Sequence, residues 1–206
     1  MKIFCVSKSR KAFTLIELLI TISIFMVLGT VGLLTFIRNR QSNELKQSTS
    51  ELASNIRKIQ SYTRSGKSIM NPINGLMEVP RAFGISLTSV AGGNTTYFLY
   101  ADFGDETDDY YYDPAVDAQV ENYSLANNTE IAALDIGQRT AYEKVDLVFI
   151  VPTSGLIAQG FAQLLNPPDP PVTDLLRATI TVNHDQAGTK DLIVEGGVLG
   201  GVTIEE

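Results

Sequence analysis

Few side chains in this 206-residue chain can do chemistry, and most of them are acids. The only histidine is His184 and the only cysteine is Cys5, so neither a Cys/His metal cluster nor an intramolecular disulfide can form. His184 with Asp185 reads as a surface turn between strands. Ser154, in Pro152-Thr-Ser-Gly155, lacks nucleophile-elbow spacing and has no evident base, so no enzyme is expected. Two acidic features remain. One is the run Asp102-Phe-Gly-Asp-Glu-Thr-Asp-Asp-Tyr-Tyr-Tyr-Asp113. Its Asp102, Asp105, Asp108, Asp109 and Asp113 could converge on Ca²⁺, the one cofactor the sequence offers. The spacing is not that of an EF-hand, because Thr107 stands where the central glycine would be. The favoured reading is a solvated, charged hairpin tip, with Tyr110–Tyr112 either packed or exposed.

The other feature is Glu17, the one charged residue between Phe13 and Ile37. A carboxylate in hydrocarbon costs a few kcal/mol or more unless it is paired. No Lys, Arg or His lies in the run to pair with it. An amino terminus could. Cleavage before Phe13 would leave a new ammonium at the apolar boundary, four residues from Glu17. An amine on a neighbouring, axially staggered helix could also reach it.

The element that positions Glu17 is apolar all round. Leu18 to Ile37 gives 20 uncharged residues. As a helix these rise about 30 Å, the thickness of a bilayer core. A single membrane-spanning anchor is expected over 13–37. Lys2, Lys8, Arg10 and Lys11 precede it without an acid, against Arg38 and Arg40 beyond it. The balance places the amino end in the cytoplasm and residues 38–206 outside it. The chain as a whole carries −7, so without the +4 of its first twelve residues the rest carries −11. Between Arg81 and Arg139 there is no base. An acidic body of this kind disfavours nucleic acid as a partner.

Lys11-Ala12-Phe13-Thr14-Leu15-Ile16-Glu17-Leu18-Leu19 resembles the amino-terminal signal of type IV pilins and type II secretion pseudopilins. The resemblance implies a basic leader over 1–12, cleavage between Ala12 and Phe13 by the prepilin peptidase, and N-methylation of Phe13. It implies that Glu17 pairs with a neighbouring subunit's amino terminus during assembly. The family usually has glycine where Ala12 stands, and many type IV pilins have a proline near Leu34.

The helix should continue past the membrane. Leu45, Leu52, Ile56, Ile59 and Thr63 recur at helical spacing, and no Pro or Gly intervenes between Ile37 and Gly66. One helix is expected over 13–65, roughly 80 Å long, with Gly66 as its stop. Gly29 and Gly32 permit close helix packing or local unwinding.

Beyond Gly66 the pattern turns to period two, in Phe83–Ser89, Tyr97–Phe103, Val145–Val151, Arg177–Asn183, Leu192–Val194 and Val198–Ile204. Gly92-Gly93-Asn94 reads as a turn, and Asn166–Pro171 as an extended loop. The class is α+β: a long amino-terminal helix packed on an antiparallel head over 66–206. The order of elements is similar to that of H-type minor pseudopilins and FimT-type minor pilins. The segments that carry this are Glu51–Ser61, Phe83–Leu87, Phe98–Asp102 and Leu147–Gly155. The end of the chain, Gly200-Gly-Val-Thr-Ile-Glu-Glu206, lacks the basic tail of DNA-capturing relatives.

Taken together, these readings predict a structural minor pilin or pseudopilin of a type II secretion pseudopilus or a type IV pilus. It would sit in the inner membrane with its head periplasmic or extracellular. The resemblance implies other pilins, the prepilin peptidase and an inner-membrane assembly platform as partners. The competing expectation is a membrane-anchored adhesin or Ca²⁺-dependent binding module.

Overall fold

The computed structural model describes residues 14–89, 94–104, 111–126, 128–137, 142–151, 155–161, 177–195 and 202–205. It has one long helix, α1 (Leu15–Ser65), followed by β1 (Ile69–Met70), β2 (Met77–Glu78), β3 (Ala82–Thr88), β4 (Thr96–Asp102) and β5 (Ala118–Ser124). Then come β6 (Thr129–Ile136), β7 (Lys144–Ile150), β8 (Gly155–Phe161), β9 (Arg177–His184), β10 (Gly188–Glu195) and β11 (Val202–Glu205). The chain divides into two compact units, Met1–Arg40 and Gln41–Glu206, and α1 contributes to both. The expected class, a long amino-terminal helix with an antiparallel β head, is the one observed. The Gly92–Gly93 turn and the proline run at 166–171 fall outside the described residues.

Helix α1 ends as its sequence dictates. Gly66 adopts φ +57°, a left-handed conformation that costs glycine little. Gly66 N–H donates to the Thr63 carbonyl at 3.3 Å and Lys67 N–H to that of Tyr62 at 3.1 Å, which together make a Schellman stop.

In the second unit the predicted helical stripe is the buried one. Leu45, Leu52, Ile56, Ile59 and Thr63 are all buried. They share one core with two sheets, a five-stranded β5-β4-β3-β7-β8 and a four-stranded β11-β10-β9-β6. All the strand pairings within them are antiparallel. The inner faces supply Phe83, Ile85, Leu99, Leu147 and Phe149 from the larger sheet and Leu134, Ile180, Val182 and Leu192 from the smaller. Polar ties fix the helix over them. Asn55 Nδ2 donates to the Tyr97 hydroxyl at 2.8 Å, and the Ser48 hydroxyl lies 3.0 Å from that of Thr129. Lys58 pairs with Glu121 at 2.6 Å, beside an aromatic stack of Tyr97 on Tyr123.

The larger sheet is buried on its outer face too. There Tyr100 lies flat across β3, and this explains a glycine. A Cβ on Gly84 would stand 2.3 Å from Tyr100 Cζ, closer than any real contact. Tyr100, Val148 and Ala82 form a second small core under Phe98 and Tyr112.

Gly84→Ala should therefore destabilise the protein by about 1–3 kcal/mol, the usual cost of overpacking. In a Tyr100→Ala background most of that cost should vanish. Urea unfolding of the four proteins of this double-mutant cycle measures the coupling. Additive effects would show that the Tyr100 ring does not occupy the space above Gly84.

Candidate assembly site

The first turn of α1 places Glu17. The expected cleavage pair, Ala12 and Phe13, lies outside the described residues. From Thr14 onward the geometry is specific. Thr14 is the N-cap, and its backbone N–H donates to Glu17 Oε2 at 3.0 Å. The Thr14 hydroxyl donates to the same oxygen at 2.9 Å, and Glu17 N–H donates back to Thr14 Oγ1 at 3.3 Å. This is a complete capping box, Thr-x-x-Glu, which satisfies orphan donors of the first turn reciprocally. The Thr-x-x-Glu spacing of the box is legible in the sequence as a second role for Glu17, beside that of a charge in need of a partner. Both hydrogen bonds that the carboxylate accepts fall on Oε2. Oε1 takes no hydrogen bond among the described residues. No basic group of the described residues pairs with the carboxylate, which is solvent-exposed in the single chain.

The helix that follows is built for a solvent without hydrogen bonds. Its side chains from Leu15 to Ile37 are exposed, and by length and composition it can cross a membrane. In hydrocarbon every polar group must be satisfied internally. Thr21 donates to the Leu18 carbonyl at 2.9 Å, Ser23 to Leu19 at 2.8 Å, Thr30 to Met26 at 2.6 Å and Thr35 to Val31 at 3.0 Å. These are all the hydroxyls between Leu18 and Ile37. The helix runs unbroken through Gly29 and Gly32, and no described residue comes within 4 Å of where a Cβ would stand on either.

The tip of the acidic segment, expected to be solvated, lies outside the described residues, but its two flanks are packed against the sheet. Asp105, Asp108, Asp109 and Tyr110 lie outside the described residues, but Asp102 and Asp113 do not. Asp102 is buried, pairs with Arg81 at 2.9 Å and accepts Gly104 N–H at 2.9 Å. Asp113 accepts Ala115 N–H at 2.8 Å, a local turn contact. A residue outside the predicted set does more. Asp117 accepts Phe103 N–H at 3.0 Å on one oxygen and Asp113 N–H at 2.9 Å on the other. Asp146, wholly buried on β7 and paired with Lys144 at 2.8 Å, accepts Tyr112 N–H at 3.1 Å. The described ends of the segment thus fold back over the outer face of the sheet, with Tyr112 edge-on to Phe98 at 4.8 Å. The physical reason is that backbone N–H groups near a buried face need acceptors, and these carboxylates supply them. Among the described residues no group of three or more His, Cys, Asp or Glu could hold a metal ion.

His184 is also not the surface residue that its turn position suggested. It is buried, with Nε2 3.4 Å from Glu44 Oε2 and Nδ1 accepting Gln186 N–H at 3.2 Å. It ties the end of β9 to α1. Ser154 lies outside the described residues.

Burial pushes the Asp117 carboxyl up to about 6 from its ordinary 3.8, against the pull of its two backbone donors. A raised folded-state pKa means that the folded protein holds the proton more tightly. This contribution favours folding below the ordinary value and is lost as pH rises through about 6. Asp117→Asn should flatten the stability profile between pH 4 and 6 by on the order of 2 kcal/mol, read by urea unfolding at stepped pH. An unchanged profile would remove Asp117 from the titration.

Residues 7–33 match the model of the prokaryotic N-terminal methylation motif, which is type IV pilin-like. No curated protein and no solved structure matches the chain. The matched stretch holds Ala12, Phe13, Thr14 and Glu17 and most of the apolar helix. The motif and the helix together fit a membrane-anchored, pilin-like subunit, a structural rather than an enzymatic kind of protein. The motif implies assembly with other pilins and handling by the prepilin peptidase.

Proposed function

We propose that this chain is a structural minor pilin or pseudopilin, drawn from the inner membrane into a type II secretion pseudopilus or a type IV pilus by its apolar helix. The observation that carries the reading is a helix whose every hydroxyl is satisfied internally while one carboxylate oxygen of Glu17 takes no hydrogen bond among the described residues. Cleavage between Ala12 and Phe13 would create an ammonium one turn from that carboxylate. Within its own chain the Glu17 side chain is engaged by Thr14, so the ammonium best placed to neutralise it is a neighbouring subunit's. Pairing of this kind fixes the axial stagger between helices. N-methylation of Phe13 would keep the cation while making it less hydrated. The head stays outside the cytoplasm, and the inner-membrane assembly platform acts on the packed helices.

Two substitutions separate the cap from the charge. Glu17→Gln keeps a capping-box side chain but no charge, whereas Glu17→Ala loses both. Both should insert into the membrane and neither should enter filaments, with incorporation reduced at least about tenfold, as expected for leaving a buried cation unpaired. Immunoblots of sheared or purified filaments read the result. Normal incorporation of Glu17→Gln would make Glu17 a helix cap only.

Processing is tested at Ala12. Replacement by a bulky residue such as leucine should leave a precursor heavier by residues 1–12, while the parent begins at a methylated Phe13. Intact-mass measurement of membrane-extracted protein distinguishes the two. A parent protein that keeps Met1 and an unmodified Phe13 would overturn the pilin reading.

A further inference from the structure

Three polar atoms on the outer face of the larger sheet are buried without a partner. Ser86 Oγ, Tyr100 Oη and Asp146 Oδ1 make no hydrogen bond among the described residues. Their residues are 2, 1 and 0 % exposed. The strand register brings the three together. Ser86 on β3 and Asp146 on β7 are direct cross-strand partners, whose Cβ atoms in an antiparallel pair lie about 5 Å apart. The Ser86 hydroxyl stands close to the Asp146 carboxyl without hydrogen-bond geometry. Tyr100 starts on β4 opposite Gly84, and its ring crosses that glycine in the direction of β7. Its Oη stands 2.6 Å from where a Gly84 Cβ would be. Gly84 and Ser86 share one face of β3, about 7 Å apart along the strand. Burial, and after it the charge of Asp146 ahead of those of Asp102 and Asp117, pushes the Tyr100 hydroxyl well above its ordinary value. The Tyr100 hydroxyl and the Ser86–Asp146 pair thus border one point between β3 and β7. An orphaned buried hydroxyl or carboxylate oxygen carries its full desolvation cost, and native proteins leave few of them.

We propose that Ser86, Tyr100 and Asp146 together hold one internal water molecule, which ties β4, β3 and β7 to one another beneath Tyr112. The inference goes beyond the filament reading and does not depend on it. Donors and acceptors match. A carboxylate only accepts, a tyrosine hydroxyl has one proton to donate, and a serine hydroxyl does either. The water accepts the Tyr100 O–H and donates to Asp146 Oδ1 and to Ser86 Oγ. That gives it about three bonds, the usual number for a buried water. A cation fits poorly. The Asp146 charge is already met by Lys144, which sits 2.8 Å from the other carboxylate oxygen, Oδ2. Calcium would call for about six to eight oxygens. The site is closed from outside by Tyr112. Its backbone N–H donates to Asp146 Oδ2 at 3.1 Å, and its ring lies 5.3 Å from that of Tyr100. The glycine at position 84 acquires a second purpose, since it lets the Tyr100 ring pass over β3 and deliver its hydroxyl to the water.

The sign of one substitution tests this in the full chain, solubilised in detergent and unfolded by urea. Tyr100→Phe keeps the ring over Gly84 and removes only the hydroxyl. If the hydroxyl binds the water, the unfolding equilibrium constant should rise about fivefold. If the hydroxyl is an orphan, its removal should leave the protein equally or more stable, and the proposal fails. Ser86→Ala should also destabilise. Combined with Tyr100→Phe it should fall short of the product of the two single effects by at least about twofold, because both act through one water. Multiplicative effects would show that the two hydroxyls serve separate partners and would overturn the shared site. Crystals of the full chain that resolve ordered solvent separate a water from a direct bond. Density for one oxygen within hydrogen-bond reach of Ser86 Oγ, Tyr100 Oη and Asp146 Oδ1 is expected. A Tyr100 or Ser86 hydroxyl bonded straight to Asp146, with no such oxygen, would refute the water.

Discussion

One helix has to satisfy two solvents, and most of the structure follows from that constraint. From Leu15 to Ile37 every face of α1 is apolar, and every hydroxyl folds back onto its own carbonyl ladder. From Gln41 to Ser65 the same helix buries only the stripe through Leu45, Leu52, Ile56 and Ile59. A helix uniformly apolar along its length would have no polar face to show to water. One amphipathic throughout would carry charges into hydrocarbon. The change of pattern after Ile37 needs no break in the backbone, since helix formers continue through it.

The head answers the second half of the helix. A single stripe is too narrow to complete a core alone, so two antiparallel sheets contribute their inner faces to the same cluster. The remaining polar groups of the stripe side are spent on alignment. Ser48, Asn55 and Lys58 reach Thr129, Tyr97 and Glu121 on three different strands, β6, β4 and β5. The outer face of the larger sheet solves a second problem of the same kind. The described ends of the connection between β4 and β5 fold back on it, and Asp102, Asp117 and Asp146 accept the backbone donors they bring. These carboxylates act as fasteners, at the cost of burying acids away from water.

Elements with a strong period were legible from the residues alone. The helix, its stop at Gly66, the buried stripe and strands β3, β4, β7, β9 and β10 stood out because their apolar spacing matches one secondary structure and no other. The strands that escaped notice lack that signal. β5 reads Ala-Gln-Val-Glu-Asn-Tyr-Ser, an edge strand with little of it buried. β6 reads Thr-Glu-Ile-Ala-Ala-Leu-Asp-Ile, whose composition favours helix, and its pairing with β9 overrides that preference through a bulge near Ala132. β8 reads Gly-Leu-Ile-Ala-Gln-Gly-Phe, too glycine-rich for a clear period, and Gly160 is needed where Tyr142 lies, 2.4 Å from a would-be Cβ. At the assembly site the charge of Glu17 is legible from its apolar surroundings, and its cap from the Thr-x-x-Glu spacing, which only the geometry of Thr14 makes a capping box. Asp117, Asp146 and His184 could not be placed from sequence. Their roles depend on contacts between segments far apart in the chain.

The capping box sharpens what Glu17 demands. Hydrogen bonds and charge neutralisation are separate requirements of a carboxylate in hydrocarbon. Thr14 meets part of the first by giving Oε2 two donors, and so holds the side chain in one place at the start of the helix. It leaves the second untouched, because a hydroxyl and an amide carry no net charge. The local geometry therefore supplies the carboxylate with donors while offering no cation among the described residues. On the pilin reading that combination is what an assembling helix needs. The acid is fixed in position before a partner arrives, and the energy still available from neutralising it is released only when a second helix brings an ammonium to the correct height.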